Sequence, residues 1–142
     1  MSKFNVLRLV LGGFGAGAVI FILTGIVNGV ILRGELQEWQ QGMGGLIHPP
    51  ARSVSMGLWT SMSFIYGIVG IWIYAGMQPR YGAGPMTALL AGFALWVVSK
   101  LTVALDFTAL GLVPGRIVAG QTLGALVAIM LGILAGAWLY KE

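Results

Sequence analysis

The stretch from Pro85 to Val113, PMTALLAGFALWVVSKLTVALDFTALGLV, constrains this chain more than any other. It exceeds the roughly 20 apolar residues that a bilayer-spanning helix requires. It also carries two charges where charges are expensive. Lys100 lies near its middle and Asp106 about one and a half turns further on. Three more apolar runs are available to surround it. Composition agrees: 58% of the 142 residues are hydrophobic and 8% are charged, against about a quarter charged in soluble domains. So few charges cannot cover a water-facing surface, so lipid is the solvent for much of the chain.

Composition also excludes chemistry. Cysteine is absent, which removes disulfides, thiolate nucleophiles and sulfur-ligated metals. The net charge of +4 is carried by basic residues placed singly at helix ends, so no nucleic-acid partner is expected. No cofactor is predicted.

Taken in order, the chain reads as an all-α polytopic membrane protein. A single transmembrane domain, 1–142, holds four spans at about 6–32, 55–77, 85–111 and 117–140. Ala16-Gly17-Ala18 mimics a signal-peptide cleavage site, but the apolar run continues through Phe21-Ile22-Leu23, as in a retained helix. GGFGAG invites a nucleotide-loop reading. No strand precedes it and it lies inside a span, so that reading is set aside. Between the first two spans, Leu36, Trp39 and Met43 recur at helical spacing among glutamates and glutamines. A short interfacial helix over 34–42 is expected, with Trp39 at headgroup depth, ended by Pro49-Pro50. The lone His48 sits before these prolines and reads as a surface residue. QPRYGAGP, from Gln78 to Pro85, reads as a tight turn, with Pro85 opening the third span. Spans two and four end Trp72-Ile73-Tyr74 and Trp138-Leu139-Tyr140, which read as interface anchors.

Glycines recur four apart: Gly13 with Gly17, Gly25 with Gly29, Gly120 with Gly124 and Gly132 with Gly136. Such pairs let helix backbones approach closely, and these are the expected packing faces. A weak repeat runs beneath them. Leu11-Gly12-Gly13-Phe14 resembles Leu90-Ala91-Gly92-Phe93, and Gly70-Ile71-Trp72-Ile73-Tyr74 resembles Gly136-Ala137-Trp138-Leu139-Tyr140. Two tandem helical hairpins, related about the membrane normal, would produce this pattern, as would coincidence among aromatic helix ends.

Lys3, Arg8, Arg80 and Lys141 fall on one side, and Arg33, Arg52 and Arg116 on the other. The excess of four against three favours both termini in the cytoplasm. With a rise of about 1.5 Å per residue, Asp106, Asn28, Gln121 and Thr60 all lie roughly 9–13 Å from the midplane, on the side away from the termini. Each span contributes one. Three readings fit: side chains reaching the interface, a hydrogen-bonded clamp between helices, or the lining of a cavity. Lys100 is nearer the midplane, where a charge costs at least about 2.5–3.5 kcal/mol. Lys100 and Asp106 are six residues apart and do not face each other on one helix. Tyr66 lies at the depth of Lys100 and would accept its hydrogen bond.

Several segments together, LGGFGAG and NGVIL, AGMQPRYGAGPMTALLAGFALW, GLVPGRI and AGAWLYKE, resemble a family of small bacterial four-helix membrane proteins of unknown function. The resemblance implies a four-span bundle in a bacterial inner membrane and brings no activity or site with it. The residues offer little for catalysis: one histidine in a loop, few acids and no cysteine. Two roles remain. An accessory or scaffolding subunit needs packing faces and anchors, binding other membrane subunits or copies of itself. A transporter or channel needs a pathway, more easily built by a homo-oligomer with a polar cavity on the non-cytoplasmic side.

Overall fold

The computed structural model describes residues 5–140. Lys3, Lys141 and Glu142 lie outside them. Five helices follow in order: α1 Val6–Ile31, α2 Arg33–Gly42, α3 Arg52–Tyr81, α4 Pro85–Leu110 and α5 Gly115–Leu139. All but α2 are long and apolar enough to cross a membrane. The chain is a multi-pass, all-α membrane protein whose four spans pack together.

Local chemistry sets the ends. The Asn5 side chain caps α1 by accepting from the Arg8 amide at 3.2 Å. Pro85 opens α4, where a missing amide costs nothing. Gly111, at φ 65°, closes α4 in the left-handed conformation that glycine adopts without strain. The turn expected over Gln78–Pro85 is shorter than its composition suggests. The α3 helix runs through Pro79 to Tyr81, and only the residues around Gly82, at φ 81°, turn the chain. Proline near a helix end interrupts one hydrogen bond of the final turns, and the Gly82 amide recovers a late one, to the Gln78 carbonyl at 2.8 Å.

Two spans contain a π-helical turn, Val27–Ile31 in α1 and Val97–Leu101 in α4. Such turns hold an extra residue and sit often at functional places. Short polar side chains surround both. Thr24 Oγ1 donates to the Ile20 carbonyl at 2.7 Å and Asn28 Nδ2 to the Thr24 carbonyl at 2.9 Å. Ser99 Oγ donates to Leu95 and Thr102 Oγ1 to Val98, each at 2.6 Å. Such bonds from a side chain to the carbonyl one turn back compete with the backbone ladder and favour bends in a helix.

The end of the bundle nearest residues 5, 82 and 140 is here called the near end; α2 and the α4–α5 turn form the far end. Near the near end, α1 is sandwiched between α3 and α5, and α4 packs on α5 and α3. The helices meet backbone to backbone. A Cβ at Gly67 would fall against the Gly13 carbonyl and the Gly17 amide, and one at Gly17 would reach the Phe64 Cα at 2.8 Å. On its other side α1 meets α5, where a Cβ at Gly136 or Gly132 would strike the carbonyls of Gly12 at 2.5 Å or Ala16 at 2.9 Å. Without a hydrophobic force between helices in lipid, this close van der Waals contact is what joins them. Ile20, Ile71, Ile129 and Ile133 fill the centre.

The far end differs. Nothing in α3 before Ser63 is buried, and nothing in α4 after Trp96. There α1 and α5 stay together, with Leu32 over Gly120 and Val27 over Gly124. Gly25 and Gly29 do not form the packing face expected of them: a Cβ at either meets open space, because both lie on the side of α1 that none of the described helices covers.

A second correction concerns the aromatic ends. Trp72 and Trp138 are exposed, as membrane anchors should be, at 59% and 66%. Tyr74 and Tyr140 are buried and meet edge to face, with ring centroids 6.2 Å apart. Two residues on a helix differ by about 200°, so an outward tryptophan turns its neighbouring tyrosine inward.

Candidate functional site

The polar residues of the far half do not form one joined layer. Asn28 and Gln121 meet: Gln121 Nε2 donates to Asn28 Oδ1 at 2.8 Å, tying α1 to α5. Asn28 is fixed for this by its own bond to the Thr24 carbonyl, at the start of the π turn. Thr60 instead donates back to the Met56 carbonyl of its own helix at 2.7 Å. Asp106 is exposed on the uncovered part of α4. The clamp thus involves two of the four residues: Thr60 is satisfied within α3, and Asp106 lies on the exposed side of α4. Gln121→Leu is expected to cost about 0.6 kcal/mol, and less than about 1.7. Thermal melting of the single variants and of Asn28→Leu/Gln121→Leu in detergent checks it; additive losses would mean that the two side chains do not act together.

Lys100 sits in the π-helical turn of α4, where α3 and α4 cease to cover each other. Its Nζ lies over the face of Tyr66, 4.9 Å from the ring centroid. The ring's negative face attracts the ammonium, so the side chain turns toward α3 through the ring rather than the expected hydroxyl. A ring supplies no counter-charge. Among the described residues the one salt bridge joins Arg116 to Glu35 at 3.2 Å, at the far end.

That ion pair belongs to a second cluster. Trp39 Nε1 donates to the Leu112 carbonyl at 3.3 Å. Together the two contacts hold the amphipathic α2 against the α4–α5 turn. An open cavity of about 320 Å³ lies there, lined by Glu35, Glu38, Trp39, Pro114, Arg116 and Ile117. The Arg116 side chain is 88% exposed, so this pair fastens α2 only weakly. His48 is exposed in the segment after α2.

Sequence reasoning missed one tie that positions Lys100. Trp96 is buried, and its Nε1 donates to the Thr122 carbonyl of α5 at 2.8 Å. It anchors α4 to α5 immediately before the π turn. Its signal was available, since Trp96 and Thr122 lie at similar depth on consecutive antiparallel spans.

No family model, curated protein or solved structure matches the chain. The glycine, proline and aromatic punctuation noted in the sequence therefore identifies no family, and what stands is a small membrane protein of four long apolar helices.

Proposed function

We propose that this chain is a scaffolding subunit, an oligomeric component of a bacterial inner-membrane assembly with both termini in the cytoplasm. The observation that carries this reading is the contrast between its two ends. The near half is a closed bundle joined by glycine contacts. The far halves of α3 and α4 hold no fully buried residue, yet they carry Lys100, Asp106 and Thr60 at membrane depth. Lipid would cover apolar helices at no cost. It does not offset a lysine charge near the midplane, and another protein surface does. Native purification in mild detergent, followed by mass measurement of the intact particle, tests the proposal. A particle larger than one chain is expected; a monomer that carries nothing else overturns it.

A second reading, solute transport by a homo-oligomer, has an observation of its own. Lys100 of α4 lies over the ring of Tyr66 of α3, a cation and an aromatic face brought together inside a span. Flux through vesicles holding the purified protein would favour this reading over scaffolding.

A further inference from the structure

We infer that the uncovered face of α4 is completed by a second copy of this chain, with Lys100 of each copy paired to Asp106 of the other. The inference rests on the oligomeric reading above and names its partner.

The surface is complementary to itself. One helix carries both an intramembrane cation and an intramembrane anion, and neither joins a salt bridge within the described chain. They stand about 120° apart around the helix, too far round to pair with each other. Val103 lies midway between them, three residues from each. Phe107 and Leu110 continue its line at spacings of four and three, the rhythm of a two-helix seam. These three side chains are exposed, at 44%, 41% and 67%. The face is therefore an apolar stripe with a positive charge on one flank and a negative charge on the other.

Two-fold symmetry needs such a surface. Copies inserted alike share one orientation, so an axis along the membrane normal brings their α4 helices together in parallel. Each Lys100 flank then meets an Asp106 flank, and both copies gain the same pair, as charges beside a parallel seam do. Along the axis the two residues are offset by about 9 Å. The long lysine stem covers most of that distance when it runs toward the far side, the direction in which its charge approaches water. Tyr66 holds the ammonium by its ring in the single copy, and the carboxylate supplies the counter-charge that the ring lacks. The π-helical turn ends at Leu101, so the stripe beyond it is regular helix.

The full-length protein in mild detergent and in membranes tests this. Native mass measurement is expected to find a dimer for the wild type. Lys100→Asp and Asp106→Lys each place like charges at the seam, and each is expected to lose at least ten-fold in the dimer-to-monomer ratio. The double variant Lys100→Asp/Asp106→Lys restores opposite charges and is expected to restore the dimer. Because the chain has no cysteine, Val103→Cys introduces a single thiol at the seam. Mild oxidation in membranes should then give a disulfide-linked dimer, while Val98→Cys, 73% exposed on another face, should not. A dimer that the double variant fails to restore, or that Val98→Cys links and Val103→Cys does not, overturns the inference. So does an assembly with other chains that survives Lys100→Asp, although the scaffolding reading then stands. A wild type that is monomeric and does not cross-link overturns both.

Discussion

Gly67→Leu is expected to prevent the bundle from forming. At this position α3 lies directly on α1, and a Cβ would meet the Gly13 carbonyl, the Gly17 amide and the Gly17 Cα, the last at 2.9 Å. All three are backbone atoms, so no rotamer change relieves the clash. Overpacking costs about 1–3 kcal/mol where side chains can shift, and more where they cannot. Three backbone clashes at once push the loss well past about 3 kcal/mol, to a size comparable with a typical stability of about 5–15 kcal/mol, so much of the protein unfolds. Gly13→Leu and Gly132→Leu should follow it, since each meets backbone at 2.8–2.9 Å. Gly25→Leu is the control, because its Cβ meets nothing, and it should melt like the wild type. Thermal melting and particle size in detergent read the difference. A Gly67→Leu protein with the melting temperature of the wild type would reject the backbone contact itself.

Tyr140→Ala is the second large effect. The ring is 2% exposed and stands edge-on to Tyr74 at the near end. Truncating a buried aromatic to alanine costs about 3–5 kcal/mol. Trp138→Ala, two residues earlier, removes a larger ring from an outward face and should cost far less. Tyr74→Ala should resemble Tyr140→Ala. The double variant should lose less than the sum by about 0.5–1.5 kcal/mol, the part that belongs to the ring pair. If Trp138→Ala proved the more damaging, the tryptophan rather than the tyrosine would face the core.

The sequence made the spans legible because apolar length is what a bilayer selects. Four long apolar helices are there to be spans, and α2 runs from Arg33 to Gly42 between the first two. Which side each residue faces was harder to read. Gly25 and Gly29 have the same spacing as Gly13 and Gly17, yet only the latter pair meets another helix of this chain. Spacing fixes a face, and only tertiary packing fixes what covers it. The tyrosines were misread for a related reason: aromatic residues at span ends suit an interface, but their angular offset from Trp72 and Trp138 decides their burial. The π turns left no trace, since they are choices of backbone hydrogen bond that varied apolar residues do not encode. In the candidate site, depth brought out Asn28 and Gln121 together. The same depth joined Thr60 and Asp106 to them, because depth says nothing about which way a side chain faces.

The glycine crossings have a mechanical consequence. Along its near half α1 is gripped from two directions, by Gly67 of α3 and by Gly132 and Gly136 of α5. Sliding α1 by one residue would bring Phe14 or Ala18 to a place where only hydrogen fits. Packed contacts of this kind do not deform gradually. The near half is therefore a fixed base that holds α1, α3 and α5 in one register. The π-helical turn at Val97–Leu101, which carries Lys100, begins directly after Trp96, the last buried residue of α4.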